Sequence, residues 1–115
     1  MVALDVDSEA IKVARKNIRA SGLGAVVRPA KGTLPHGVAK DSRFDIILAN
    51  ISARVIQEQA EYFGRTLKVG GILVASGFLE DKFPELRNTL TSAELSYVKS
   101  CYREDWVASL FTRGD

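Results

Sequence analysis

Almost continuously apolar runs alternate with amphipathic segments along most of this chain, and this alternation constrains its fold more than any other feature. The runs Val2–Val6, Phe44–Ile51 and Gly71–Phe78 have the composition of buried strands, and the segments between them carry apolar residues at helical spacing. A strand that is apolar on both faces is typical of a parallel sheet covered by helices. The pattern therefore predicts an α/β fold with a doubly wound, mostly parallel sheet, in which Phe44–Ile51 is a central strand.

The remaining segments complete the predicted order β-α-β-β-α-β-α-β-β. Ala25–Ala30 is predicted to be a short strand, and the polar stretch His36–Arg43 is predicted to be a loop. Phe83–Leu90 is predicted to be a helix with a proline in its first turn. Leu95–Arg103 and Trp106–Arg113 alternate apolar and polar residues and are separated by only two residues. This spacing predicts an antiparallel hairpin at the C-terminal edge of the sheet.

The composition excludes several classes of protein. The 115 residues are enough for one domain or part of one, and the net charge of +2 is too small to indicate nucleic-acid binding. The single cysteine, Cys101, excludes an intramolecular disulfide, and the single histidine leaves no ligand cluster for zinc or another metal. No apolar run approaches the roughly 20 residues of a membrane helix. We therefore expect a cytoplasmic protein that binds neither membranes nor nucleic acid directly.

Asp5 ends the first apolar run and is the first candidate for ligand binding. Ligands of open α/β sheets bind outside the carboxyl ends of the strands, where a carboxylate can accept hydrogen bonds from two ribose hydroxyls. In such folds a glycine-rich loop precedes the carboxylate by about 20 residues, whereas this sequence begins at Met1. The alternative for Asp5 is a helix-capping or surface role, although Asp7 is the better candidate for the cap and Ser8 can also serve as one.

Asn50 ends the run Phe44–Ile51 and is the second candidate, because its amide can orient an amine or a carboxylate. Its alternative is a turn or the N-cap of the next helix, and Ser52 competes for that capping role. Gly77 would let backbone approach a ligand or would simply shape a turn. Lys31 could reach a ligand or could be a solvated surface lysine.

Three residues with reactive or aromatic side chains are assigned no chemistry. Cys101 lies on a predicted edge strand without a nearby base, which argues against a nucleophilic role. His36 is predicted to lie on the surface of a loop. Trp106 begins an apolar strand and is predicted to be a core residue.

Several motifs, taken in order, resemble class I S-adenosylmethionine-dependent methyltransferases. LDVDSEAIKVARKNIRASGL resembles the strand and helix after the first motif of that family, usually written D-x-D-P-x-A, with Ser8 in place of the proline. FDIILANI resembles the fourth-motif strand, and LKVGGILVASGFLEDK resembles the motif L-K-P-G-G. ANI, SGFLEDK and the closing DWVASLFTR are similar to the PrmA-type methyltransferases of the large ribosomal subunit protein L-eleven. The resemblance runs from residue 2 to about residue 113.

The resemblance implies a Rossmann-like methyltransferase sheet with S-adenosylmethionine as the cofactor. It makes Asp5 the acceptor for the ribose hydroxyls and places the turn Ala30–Gly32, which contains Lys31, near the adenine. It places Asn50 beside the methionine end of the cofactor and the incoming amine, as the candidate catalytic residue. The implied reaction is methyl transfer to lysine side chains and an N-terminal α-amine of a ribosomal protein.

The resemblance also implies that residues 1–115 are a single partial catalytic domain, the C-terminal portion of the family's domain. The glycine-rich loop and the first strand of the family would precede Met1, so we expect little cofactor affinity and weak or no activity from the chain alone. The strand edges left without partners could pair with another chain and give an oligomer. Two alternatives stay open: half of a nicotinamide-binding Rossmann domain, and a non-catalytic remnant that acts as an assembly module.

Overall fold

The structure of this protein is a computed structural model that describes residues 1–33 and 43–114. Its chain divides into two units, Met1–Asp41 and Ser42–Asp115. Apart from Arg43, the predicted loop His36–Arg43 lies outside the described residues, and His36 with it. None of the described helices combines the length and apolar character that crossing a bilayer requires.

The first unit is a parallel β-α-β arrangement. Strand β1 (Val2–Asp5) pairs with strand β2 (Arg28–Lys31), and helix α1 (Ser8–Ala20) connects them. Asp7 is the N-cap of α1, because its side chain accepts a hydrogen bond of 2.9 Å from the backbone N–H of Glu9. The suggestion that Ser8 caps this helix is therefore wrong, and the preference for Asp7 in that role is confirmed.

The elements of the second unit are β3 (Phe44–Asn50), α2 (Ala53–Thr66), β4 (Leu67–Leu79), α3 (Phe83–Ser92), β5 (Leu95–Arg103) and β6 (Trp106–Arg113). The strands form a four-stranded mixed sheet in the order β3-β4-β6-β5. Strand β3 pairs with β4 in parallel, whereas β6 is antiparallel to both of its neighbours. A single turn of 3₁₀ helix, Glu80–Lys82, lies between β4 and α3. The structure thus confirms the predicted element order, the α/β class and the C-terminal antiparallel hairpin.

Helices α2 and α3 cover one face of the four-stranded sheet, and the core of the second unit lies beneath them. This core includes side chains with no exposed surface from both helices and from the strands, namely Ile56, Leu73, Leu86, Leu90 and Phe111. On the opposite face of β3, Ile46 and Leu48 are 59% and 71% exposed. The prediction that Phe44–Ile51 is a central strand with helices on both faces is wrong for the described residues, where β3 is an edge strand.

Two strands differ from their predicted bounds by more than one residue. Strand β2 covers Arg28–Lys31 rather than Ala25–Ala30, because Val26 and Val27 donate backbone hydrogen bonds to Leu23 in a turn after α1. Strand β4 begins at Leu67, where Leu67 pairs with Phe44, rather than at Gly71. The local sequence pattern reveals neither the turn that precedes β2 nor the long-range pairing that extends β4.

Candidate functional site

Asn50 lies at the carboxyl end of β3, directly opposite Ser76 in the register of the parallel pair β3–β4. The Ser76 hydroxyl donates a hydrogen bond of 3.2 Å to Asn50 Oδ1. Beside it, the backbone N–H of Ile51 donates to the carbonyl oxygen of Ser76 at 3.1 Å. These two bonds tie the ends of the two strands together and hold the Asn50 amide at that edge of the sheet.

Ser52 caps helix α2, since its hydroxyl accepts a hydrogen bond of 3.4 Å from the backbone N–H of Val55. The alternative in which Asn50 is the N-cap of this helix is therefore wrong. The cap residue follows the strand closely, so the chain leaves β3, turns and enters α2 within a short segment. Asn50 is exposed at this turn, and its side-chain oxygen is held by Ser76 rather than by the helix.

Gly77 packs against Asn50 and Ile51 without a side chain of its own. A Cβ atom at this position would lie 2.7 Å from Asn50 Oδ1 and 3.0 Å from both the backbone nitrogen and the oxygen of Ile51. Its φ of +89° also lies in the region that favours glycine. The close approach at Gly77 is to Asn50 and Ile51 of the chain itself, at a register shift within β4. The hypothesis that Gly77 lets backbone approach a ligand stays a prediction.

A cavity of about 660 Å³ opens beside the Asn50 amide. It lies within the second unit, between the ends of β3 and β4 and the tip of the β5–β6 hairpin. The residues that line it are Asn50, Ile51, Ser52, Ser76, Gly77, Cys101, Tyr102, Arg103, Trp106, Val107 and Ala108. A cavity with polar strand ends on one side and aromatic residues on the other is typical of a small-molecule or side-chain binding site.

The tip of the hairpin contributes residues that sequence reasoning assigned elsewhere. Trp106 is 53% exposed and lines the cavity, so the prediction that it is a core residue is wrong. Tyr102, also 53% exposed, lines the same cavity and was not singled out from the sequence. The turn predicted after Arg103 places Tyr102 and Trp106 near the hairpin tip. The alternating sequence pattern does not show that the tip lies beside a cavity.

In the first unit, Asp5 and Lys31 lie side by side at the carboxyl ends of β1 and β2, where they are register partners. Asp5 Oδ1 accepts a hydrogen bond of 2.9 Å from the backbone N–H of Asp7, and the backbone N–H of Gly32 donates to the Asp5 carbonyl oxygen at 2.8 Å. Both side chains are exposed. The structure thus places Asp5 beside Lys31 in the first unit. In the second unit it places Asn50 beside Ser76 and Gly77. The ligands proposed for these residues stay predictions.

The described residues contain no cluster of His, Cys, Asp and Glu side chains that could hold a metal ion. The polar groups that line the cavity of the second unit are an amide, hydroxyls and a guanidinium. Those at the ends of β1 and β2 in the first unit are a carboxylate and an ammonium group. Groups of these kinds can orient a ligand by hydrogen bonds and charge.

Comparisons with known proteins identify the family. The sequence pattern of the family described as ribosomal protein L11 methyltransferase (PrmA) matches residues 1–114. A ribosomal protein L11 methyltransferase of an Exiguobacterium species is 36% identical over 112 residues, which is 97% of this chain and 35% of that relative. The chain therefore spans about a third of the length of the curated relatives it matches.

Solved structures confirm the predicted Rossmann-like methyltransferase fold. A ribosomal protein L11 methylase from Lactobacillus delbrueckii subsp. bulgaricus matches with a TM-score of 0.80 at 20% identity, covering 99% of this chain and 58% of that one. An RNA methyltransferase from Salinibacter ruber, solved in complex with S-adenosyl-L-homocysteine, matches with a TM-score of 0.70 at 16% identity, covering 99% of this chain and 65% of that one. By its sequence and its fold, the chain belongs to the PrmA family of ribosomal protein L11 methyltransferases.

Proposed function

We propose that this chain forms the amine-facing part of an S-adenosylmethionine-dependent protein methyltransferase that acts on amino nitrogens of ribosomal protein L11, in the cytoplasm. The observation that carries the proposal is the Asn50 amide, which Ser76 holds at the carboxyl end of β3 beside a cavity of about 660 Å³. Family membership supports the reaction class, and the names of the relatives support the substrate.

The groups at the strand ends fit the proposed cofactor. S-adenosylmethionine, when bound, supplies a methyl group activated by its sulfonium sulfur. The bond from the Asp7 N–H to Asp5 Oδ1 fixes the orientation of the Asp5 carboxylate, and this carboxylate can accept hydrogen bonds from vicinal ribose hydroxyls. Lys31, the last residue of β2, is proposed to contact the cofactor near its adenine.

Asn50 is proposed to align the amine. A neutral amine that donates an N–H to Asn50 Oδ1 keeps its nitrogen lone pair free to form the bond to the methyl carbon, in line with the carbon–sulfur bond that breaks. The exposed ring of Trp106 and that of Tyr102 can contact the aliphatic part of a lysine side chain across the cavity. The chain therefore needs no nucleophile of its own, and Cys101 is given no role in the transfer.

The proposal is tested with a joined chain, in which the N-terminal part of the Exiguobacterium relative precedes residues 1–115. Transfer of tritiated methyl groups from S-adenosylmethionine to purified ribosomal protein L11 is measured. We expect transfer by the joined chain and little or none by the chain alone, for which titration calorimetry should also detect little cofactor binding. Tight cofactor binding by the chain alone would contradict the second expectation.

Substitution of Asn50 tests the site within the joined chain. Asn50→Ala should lower kcat by about 100-fold through misalignment of the amine, with little change in the KM for S-adenosylmethionine. Asn88→Ala makes the same chemical change at an exposed position of α3 outside the cavity and should leave both constants unchanged. Equal kcat values for the two variants, or a joined chain that binds the cofactor but methylates no L11 amine, would refute the proposal.

A second candidate function, an assembly module, is favoured by one specific observation. The outer edge of β3 has no strand partner within the described residues, and Ile46 and Leu48 are exposed beside it. Such an edge can accept a strand from another chain. Sedimentation velocity of the chain alone separates the candidates by the kind of association. An assembly module should form an oligomer of one defined size, whereas an incomplete methyltransferase domain should associate through β3 without a fixed stoichiometry.

A further inference from the structure

We propose that Ser76 and Gly77 are positioning residues that fix the side-chain carbonyl of Asn50, with Gly77 supplying the space and Ser76 the hydrogen bond. This inference rests on the proposed function of Asn50 and deepens it, because it specifies which atom of the amide faces the amine and what holds that atom. It is drawn from three contacts within one unit of the chain: Gly77 with Asn50, Gly77 with Ile51, and Ser76 with Asn50.

The steric part of the argument is a comparison of two glycines in β4. Gly70 and Gly77 have similar left-handed backbone angles, with φ of +80° and +89°. A Cβ atom on Gly70 would meet nothing within 4 Å, whereas one on Gly77 would lie 2.7 Å from Asn50 Oδ1. The backbone angle explains a glycine at both positions equally. At Gly77, unlike at Gly70, the absence of a side chain also leaves the space that Asn50 Oδ1 occupies.

The polar part of the argument is the direction of the Ser76 hydrogen bond. In this structure the hydroxyl donates to Asn50 Oδ1 and thereby holds the carbonyl end of the amide against β4. The neighbouring bond from the Ile51 N–H to the Ser76 carbonyl oxygen holds the two backbones at a constant separation. Ser76 therefore ties the side-chain carbonyl of Asn50 to β4.

The chemical consequence concerns the remaining lone pair of Asn50 Oδ1. A carbonyl oxygen accepts two hydrogen bonds, and Ser76 uses one of them. The other can accept an N–H of the incoming amine, so that the hydroxyl of Ser76 and the amine donate to the same oxygen. An amide turned over would present its NH₂ group instead, which would compete for the nitrogen lone pair.

Nuclear magnetic resonance of the Asn50 side-chain amide in the chain alone tests the positioning directly. Its ¹⁵N–¹H signals are assigned by their loss in Asn50→Ala. Ser76→Ala and Gly77→Ala should shift these signals, and Ser76→Thr, which keeps the hydroxyl, should leave them near their original place. Gly70→Ala and Ser92→Ala are the matched controls and should not move them. Asn50 signals that are the same in Ser76→Ala and Gly77→Ala as in these controls would overturn the inference.

Kinetics of the joined chain test whether Ser76 acts through Asn50. Ser76→Ala should lower kcat about tenfold and leave the KM for S-adenosylmethionine within about twofold, with recovery in Ser76→Thr. The double variant Ser76→Ala/Asn50→Ala should be no slower than Asn50→Ala, because a positioning residue has no effect once its target is gone. Additive losses would overturn the inference. If Asn50→Ala itself retains full kcat, the proposed function fails, while the resonance experiment still decides the positioning.

Discussion

Glu94 and Glu104 hold a left-handed backbone at positions where glycine is the usual residue. Glu94, with φ of 69°, follows the C-cap Ala93 of helix α3, and Glu104, with φ of 56°, begins the turn of the β5–β6 hairpin. A residue with a Cβ atom pays a conformational cost of about 1–2 kcal/mol in this region. At these two positions a glycine would therefore fit the observed backbone conformation better than the glutamate does.

Glu94→Gly should raise the free energy of unfolding by about 0.5–1 kcal/mol. Glycine removes the cost of a left-handed backbone from the folded state, and this gain exceeds the stability lost because glycine makes the unfolded chain more flexible. Urea denaturation measures the change. Glu85→Gly, the same substitution in the first turn of the same helix, should instead lower stability by about 1 kcal/mol. A loss of stability at both positions would contradict the prediction.

The carboxylates of Asp5 and Asp7 lie two residues apart and make different local bonds. Asp7 caps α1, whereas Asp5 Oδ1 accepts from the backbone N–H of Asp7. Asp7→Ala should destabilise the start of α1 by about 1 kcal/mol, and Asp7→Asn should retain most of the cap. Hydrogen exchange of the Glu9 amide reports this loss, and it should be about fivefold faster in Asp7→Ala. Ser8→Ala is the control, and an equal effect there would show that Ser8 shares the cap.

At the scale of elements, helix α3 is anchored by two side chains with no exposed surface, Leu86 and Leu90. Leu86→Ala should cost about 2–5 kcal/mol through lost burial and the cavity it leaves. Asn88→Ala, on the exposed side of the same helix, should change stability by less than about 0.5 kcal/mol. Urea midpoints of the two variants provide the comparison. A small loss in Leu86→Ala would show that α3 does not contribute to the cooperative core.

The elements that the sequence predicts well are those specified by local patterns. The hairpin strands β5 and β6 have their predicted bounds because a partly alternating apolar pattern and a two-residue turn define both. The start of β4 is not predictable from a local pattern, because Lys68 and Gly70 are residues typical of a helix end. The segment is a strand because Leu67 pairs with Phe44, which is distant in the sequence. The exposure of Trp106 is missed for the same reason, because burial depends on what the hairpin tip packs against.

The candidate site was likewise predictable only in part. The positions of Asp5 and Asn50 at strand ends follow from the apolar runs and from the resemblance to the family. The contact between Gly77 and Asn50 and the bond from Ser76 depend on the register between β3 and β4, which the sequence pattern does not specify. The sequence places Ser76 and Gly77 near a strand end, but it does not predict that they contact the Asn50 amide.

At the scale of the whole molecule, the exposed side of β3 is the feature that most limits what the chain can do alone. Ile46 and Leu48 are both large, apolar and more than half exposed, and they lie on a strand whose outer edge is unpaired within the described residues. Exposed apolar strands at sheet edges promote association with other chains. The chain also spans only 35% of its Exiguobacterium relative, so most of the family's length lies outside it.

We therefore expect the chain alone to self-associate through β3, and expect Leu48→Lys to weaken this association. A lysine at a position that is 71% exposed can keep its charge in water, so the monomer should tolerate it, whereas an association that covers Ile46 and Leu48 would bury that charge. Sedimentation velocity over a range of concentrations measures the monomer fraction. Val13→Lys, at a position 55% exposed on α1, is the control and should not alter the monomer fraction.

If the original chain is monomeric at every concentration, or if both lysine variants reduce association equally, β3 is not the contact surface. If the joined chain is monomeric while the chain alone associates, the N-terminal part of the relative protects the same strand that otherwise pairs between copies.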